Sequence, residues 1–150
     1  MISGAVAGLG TITPASGFVL PWHGVLIGLM AGALCFWACT WLKLRLGYDD
    51  SLDVFGVHGI GGMTGTLATG FFAVAWLSVG PDSPNGLPGL FEGNPKQVVS
   101  QLYGIGVVIV WSGVLTLVLL KVIEFIAPLR VSKQHEIEGL DVTQHGEALQ

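Results

Sequence analysis

Hydrophobic positions in this chain come in long unbroken runs, not in the alternating or one-faced patterns of a water-soluble domain. About 20 mostly apolar residues carry a helix across a bilayer. Three segments reach that length: about Trp22 to Leu42, Val54 to Val79, and Val98 to Ile126, none interrupted by proline. A fourth apolar stretch, Ile2 to Ile12, is about half a span and too short to cross. It is expected to be either re-entrant or the end of a segment whose beginning is missing; because Met1 leads straight into apolar sequence, truncation is the preferred expectation. The pattern predicts an all-α membrane protein, with residues 1–129 transmembrane and residues 130–150 a polar tail.

The polar links set the orientation, because lysine and arginine collect on the cytoplasmic side. Lys43 and Arg45 follow one span, and Lys121, Arg130 and Lys133 close the last, whereas the links Thr13 to Pro21 and Gly80 to Lys96 offer only Lys96. The C-terminus is therefore expected in the cytoplasm, with the protein multi-pass in the cell's inner (plasma) membrane. Asp49, Asp50 and Asp53 then lie at the cytoplasmic start of the Val54 segment, where carboxylates suit the helix dipole. Asp53, directly before the apolar run, is the expected N-terminal cap. Prolines 81, 84 and 88 with glycines 80, 86, 89 and 93 make the link from Gly80 to Pro95 an outside loop of turns.

Composition agrees. The chain is 51% hydrophobic and 11% charged with a mean hydropathy of +0.70, against roughly 25% charged residues in soluble domains. Its net charge of -4 is uneven, since four of the ten acids fall in the last fifteen residues. There is no basic footprint for nucleic acid. Cys35 and Cys39 share one helical face and read as small packing residues, with no disulfide framework. No short basic-then-apolar leader with a cleavage site is evident. No metal-ligand spacing, nucleophile-and-base arrangement or phosphate loop is present, so neither a cofactor nor an enzymatic activity is expected. Glycines at every fourth position, Gly24, Gly28 and Gly32, then Gly61 and Gly65, with Gly4 and Gly8 in the short stretch, predict helices packed backbone to backbone.

One ionisable side chain stands inside an apolar span. His58 is costly to insert there and is by default a site residue. On a regular helix it shares a face with Val54, Gly61, Gly62 and Gly65, which predicts a groove beside the ring with an apolar approach from Val54 and Phe55. In a narrow dry groove the ring is expected neutral, with one donor and one acceptor nitrogen, suited to a small hydrogen-bonding molecule and its proton. The alternative is a structural histidine satisfied by a neighbouring helix. His23, beside Pro21 and Trp22 at the outer edge of its span, takes that structural reading, and His135 and His145 fall in the tail.

Three ordered motifs carry a family resemblance over nearly the whole chain. Ser3-Gly4-Ala5-Val6-Ala7-Gly8-Leu9 through Ile12-Thr13-Pro14-Ala15-Ser16-Gly17-Phe18-Val19, the run from Asp49-Asp50-Ser51-Leu52-Asp53 to Val57-His58-Gly59-Ile60-Gly61-Gly62, and Leu129-Arg130-Val131 with Glu138-Gly139-Leu140-Asp141-Val142 and His145-Gly146-Glu147 together resemble the ammonium transporter family (Amt/Mep/Rh). Ser3 departs from the asparagine usual in the first motif. The resemblance implies the C-terminal part of an eleven-helix inverted-repeat transporter, from the end of helix eight through helix eleven and the tail. It further implies a homotrimer embedded in membrane lipid, with one pore per subunit conducting ammonium or ammonia.

On that resemblance His58 matches the second of two pore histidines, and its partner and the outer recruiting aromatics belong to sequence not present. Gly139, Asp141, His145, Gly146 and Glu147 match a regulatory tail that contacts a PII-type signalling protein. Glycines 139 and 146 would permit its turns, and Asp141 would hold one through its side chain. A membrane-embedded ammonium sensor, an Rh-like gas channel and a non-conducting membrane protein that only binds partners are the competing readings.

Overall fold

The computed structural model describes residues 2–147; Met1 and residues 148–150 at the end of the tail lie outside the described residues. The described residues are helical, with one isolated bridge between Gly80 and Ser83. Helix α1 spans Ile2–Ile12 and tightens into a 3-10 turn at Thr13–Ala15. Helix α2, Pro21–Trp37, runs on through a π turn at Ala38–Leu42 into α3, Lys43–Leu46, and Gly47 ends it in the left-handed conformation. The His58 helix opens with a π turn at Phe55–Ile60 and continues as α4, Gly61–Phe72. Helix α5 spans Pro95–Ile126, and the tail holds α6, Lys133–Glu138, followed by a π turn at Asp141–His145.

Two of these helices, Pro21–Leu46 and Pro95–Ile126, are long and apolar enough to cross a membrane. The chain divides into two compact units, one up to Val107 and the other from Val108 onward. In the first, α1, α2 and α4 pack on one another through small side chains. Ala7 with Cys35 and Val57, and Ala15 with Ile27 and Ala68, form the two buried clusters. Large apolar residues such as Leu29, Phe36 and Leu9 point outward instead. That inside-out distribution suits lipid, where close backbone approach rather than burial from water drives association.

Glycine sets the approach. A methyl group on Gly65 would collide with the Thr11 carbonyl oxygen and one on Gly56 with Cys39 Sγ, and one on Gly61 would stand 2.8 Å from Thr11 Oγ1. Gly28 and Gly32 differ: nothing lies within 4 Å of a side chain placed there. The buried stripe of α2 is His23, Ile27, Ala31 and Cys35, one position away from the glycines that the spacing singled out. Equal spacing marks a face that could pack closely, but the partner's position decides whether it does.

The span expected to reach Val79 ends earlier as a helix. After Phe72 the chain turns extended at Ala73 and Val74, then forms a 3-10 turn at Ala75–Ser78. Hydrogen bonds from other segments take over the backbone there: Val74 N–H donates to the Phe18 carbonyl at 2.8 Å, Gly89 N–H to the Ala73 carbonyl at 2.8 Å, and Ala75 N–H to Glu92 Oε2 at 2.7 Å. Burying unpaired amides costs as much as losing hydrogen bonds, so these partners stabilise a break that apolar residues alone do not announce. His23 sits as a structural residue: its Nδ1 accepts from Leu20 N–H at 3.2 Å, and its ring lies 3.7 Å from Trp22 and 5.0 Å from Phe72, centroid to centroid.

Overpacking a tight interior costs about 1–3 kcal/mol and more when backbone must move. Gly65→Ala is therefore expected to lower the melting temperature of the detergent-solubilised protein sharply, and Gly28→Ala to leave it nearly unchanged. Equal melting curves for the two variants would contradict the close approach at Gly65.

Candidate functional site

The N-terminal end of the His58 helix is built from a short turn. Asp53 N–H donates to the Asp50 carbonyl at 3.3 Å, closing residues 50–53, and Asp53 takes a positive φ of 56°. Few residues other than glycine tolerate this left-handed conformation; aspartate is among them because its short polar side chain can bond locally. In it the Asp53 carboxylate turns to Lys43, whose Nζ donates to Oδ1 at 2.7 Å. Capping falls to Asp50. Its Oδ1 accepts from Val54 N–H at 2.8 Å and its Oδ2 from Phe55 N–H at 2.9 Å. The expectation that Asp53 caps the helix is thus corrected: Asp53 stands in the cap position, but its backbone does not have the extended geometry from which a cap side chain folds back.

Lys43 also donates to the Asp50 carbonyl, at 2.5 Å. Tyr48 closes the corner, its ring edge-on to Phe55 at 5.6 Å and 83°. The Tyr48 hydroxyl is sealed and finds no hydrogen-bond partner among the described residues. Burial first, and then the charge of Asp50, pushes it above the usual phenol range. Asp50, Asp53, Lys43 and Tyr48 together form a polar foot under an otherwise apolar helix.

From that foot the chain enters the π turn at once. A π turn is rare and usually appears as a single turn within an α-helix, often at functional sites. Here it divides the face expected to be shared by Val54, His58, Gly61, Gly62 and Gly65. Gly61 and Gly65 are buried against Thr11, Gly62 is open, Val54 is half exposed, and His58 is exposed. His58 Nδ1 comes to lie beside α1, 3.7 Å from where a side chain on Gly10 would begin. Val57, the preceding residue, is buried with Ala7 and Cys35.

The helix on the far side supplies polar contacts to the same segment. Cys35 Sγ lies 3.9 Å from the Val57 carbonyl and Cys39 Sγ 4.0 Å from the Asp53 carbonyl. Both thiols are free, and no group of three or more candidate metal ligands exists among the described residues. The cysteines thus occupy the packing positions the sequence suggested. Gly10, Thr11 and Gly56 were not anticipated as contributors, and Asp50 was expected near the helix start but not as its cap. Only Asp50 had a visible signal, a carboxylate within one turn of the helix start.

In the second unit, the tail residues group by themselves. Ser132 Oγ accepts from His135 N–H at 3.3 Å and caps α6. Arg130 pairs with Glu136, Nε to Oε1 at 2.6 Å and Nη2 to Oε2 at 3.2 Å, which holds the Glu136 carboxyl below its usual range. Gly139 and Gly146 both take positive φ, 100° and 68°, Gly146 in the left-handed helical conformation and Gly139 outside it with ψ of 130°, backbone that glycine adopts readily. Asp141 holds the last turn through its main chain, its carbonyl accepting from Glu147 N–H at 3.0 Å. Thr143 Oγ1 reaches back to the Gly139 carbonyl at 2.9 Å. His145 lies in the π turn, and Gly146 follows it as the cap.

The family model of the Ammonium Transporter Family matches residues 1–149. The chain belongs to the ammonium transporter family. It is 45% identical over 147 residues to an ammonium transporter of Bacillus subtilis (strain 168), covering 97% of this chain and 35% of that protein. With the ammonium transporter Amt1 of Archaeoglobus fulgidus it shares 42% identity over 147 residues, covering 98% of this chain and 36% of the relative. Among solved structures it is similar to Saccharomyces cerevisiae Mep2, with a TM-score of 0.75 and 38% identity over 88% of this chain and 30% of that one. Candida albicans Mep2 gives 0.78 and 33%, over 89% and 29%. The chain therefore spans about a third of the length of the curated relatives it matches.

Replacing a capping aspartate costs about 0.5–2 kcal/mol. Asp50→Ala is expected to destabilise the protein by an amount in that range and Asp50→Asn by less, read as thermal melting in detergent. An Asp50→Ala protein that melts with the parent would return the cap to another residue.

Proposed function

We propose that this chain contributes one half of a membrane pore for ammonium or ammonia, with His58 as the ring that meets the permeating molecule and Val54 as part of its apolar approach. The observation that carries this reading is the placement of His58, exposed on the π turn while Gly56, Gly61 and Gly65 of the same helix are buried, in a chain whose family relatives are named as ammonium transporters. A cation near the bilayer centre is heavily penalised, whereas a neutral small amine can pass an apolar lumen by exchanging hydrogen bonds with an imidazole. Each ring nitrogen can then act as donor or acceptor in turn.

The partners follow from the same reading. Pore lining from one repeat is completed by the other in inverted-repeat transporters, so the working unit contains further helices and assembles as a trimer in the inner membrane. Its C-terminus is cytoplasmic on the distribution of Lys43, Arg45, Lys121, Arg130 and Lys133. The tail turns around Gly139, Asp141, His145, Gly146 and Glu147 offer a shaped segment to a PII-type regulator. Their support is the pair of positive-φ glycines and the carbonyl bond to Glu147.

The test uses a chimera in which this chain replaces the matching third of the Bacillus subtilis transporter, expressed in cells without other ammonium uptake. His58→Ala is expected to change labelled methylammonium uptake or ion selectivity with little loss of membrane-inserted protein. Unchanged uptake and selectivity would make His58 a structural residue. Deleting residues 139–150 in the same chimera should reduce uptake and abolish pull-down of a PII-type protein while trimers persist. Full uptake with unaltered pull-down would leave the tail without a regulatory role.

A further inference from the structure

Helix α2 and its continuation into α3 present three polar side chains four residues apart, Cys35, Cys39 and Lys43, and each reaches the main chain of the His58 segment. Cys35 Sγ approaches the Val57 carbonyl, Cys39 Sγ the Asp53 carbonyl, and Lys43 Nζ the Asp50 carbonyl. Lys43 adds the Asp53 carboxylate at 2.7 Å. Thiols are weak donors and an ammonium is a strong one, so the lysine is the dominant hold in this row. It grips both ends of the turn that precedes the helix, the Asp50 carbonyl at its start and the Asp53 side chain at its close.

That turn decides where the helix begins. With Asp53 held at a φ of 56°, Asp50 is left to bind Val54 N–H and Phe55 N–H, and the π turn follows from Phe55. A left-handed aspartate persists only when its surroundings over-determine it. Releasing it would let Asp53 return to the ordinary extended cap geometry and bind the first amides itself. The helix would then start in a different register. His58, five residues on, would no longer lie beside Gly10.

We propose that Lys43 is a positioning residue for His58: by holding Asp53 in its left-handed conformation, it fixes the π turn that places the imidazole. The inference rests on the pore-histidine reading, and Lys43 itself touches no permeating molecule. Cys35 and Cys39 extend the same contact along the helix, and Gly56 makes room for it, since a side chain there would collide with Cys39.

The experiment measures methylammonium uptake kinetics in the chimera for Lys43→Met, Lys43→Arg, Asp53→Asn and His58→Ala, with Lys43→Met also combined with His58→Ala. Misplacing a group by about 1 Å can cost up to about a hundredfold in rate, so Lys43→Met is expected to lower maximal uptake by at least about tenfold with KM little changed. Lys43→Arg, which keeps the donor and the charge, should restore most of it, and Asp53→Asn, which tolerates the same backbone without the ion pair, should fall between. In the His58→Ala background, Lys43→Met should add little, because residues acting through one another are not additive. Maximal uptake by Lys43→Met equal to the parent, or a full additional loss on top of His58→Ala, would overturn the proposal. If Lys43→Met does not insert, Asp53→Asn carries the same two tests. An unaffected His58→Ala would instead sink the pore reading itself, whereas an impaired His58→Ala beside a normal Lys43→Met would sink only the role of Lys43.

Discussion

The contact between Gly65 and the Thr11 carbonyl is the constraint on which the rest of the first unit depends. Helices in lipid gain nothing from hiding apolar surface, so they associate through dispersion and weak polar contacts that need short distances. With no Cβ on Gly65, its Cα hydrogen faces the Thr11 carbonyl oxygen at a separation that any side chain would forbid, a geometry in which Cα–H···O contacts recur at helix interfaces. Gly61 against Thr11 Oγ1 and Gly56 against Cys39 extend this zipper along both neighbouring helices. Once α1 is drawn this close, Gly10 and Val57 fall into the positions that frame His58.

The π turn reconciles two demands on one helix. Glycines must face inward to permit the close packing, yet the one ionisable ring of the helix stays exposed. A regular helix would put His58 with Gly61 and Gly65 on the same side. With the π turn at Phe55–Ile60, Val57 lies in the core with Ala7 and Cys35, Gly61 and Gly65 are buried against Thr11, and His58 stays exposed beside Gly10. The polar foot of Asp50, Asp53 and Lys43 lies immediately before this turn, where the backbone departs furthest from regular helix.

Much of the architecture was legible in the sequence because hydropathy and length set where apolar helices run. The starts and ends of Pro21–Leu46 and Pro95–Ile126 lie within a few residues of the expected spans. Failures fall where geometry came from partners distant in sequence. Ala73 to Val79 is apolar enough to continue a helix, but the amides of Val74 and Gly89 bind Phe18 and Ala73 and stop it. Gly28 and Gly65 sit in the same four-residue spacing, yet only Gly65 meets another backbone. Asp53 precedes the apolar run as a cap should, and its positive φ, invisible in a sequence, passes that role to Asp50. In the tail the turns were legible through Gly139 and Gly146, because glycine leaves a signal for left-handed backbone and Asp141's main-chain carbonyl leaves none.

Charge distribution along the His58 segment narrows the chemistry it can support. Between Asp53 and Asp82 the sequence holds no acid, no base other than His58, and no tyrosine or cysteine. At the N-terminal end, the Asp50 carboxylate is engaged by two backbone amides and that of Asp53 by Lys43. A cation entering this segment would leave water without meeting a counter-ion, which is the situation the low dielectric penalises most. A neutral molecule does not meet that penalty. His58 is therefore the one ionisable side chain of this stretch, and its ring lies exposed beside Gly10 while Gly61, Gly65 and Val57 are buried.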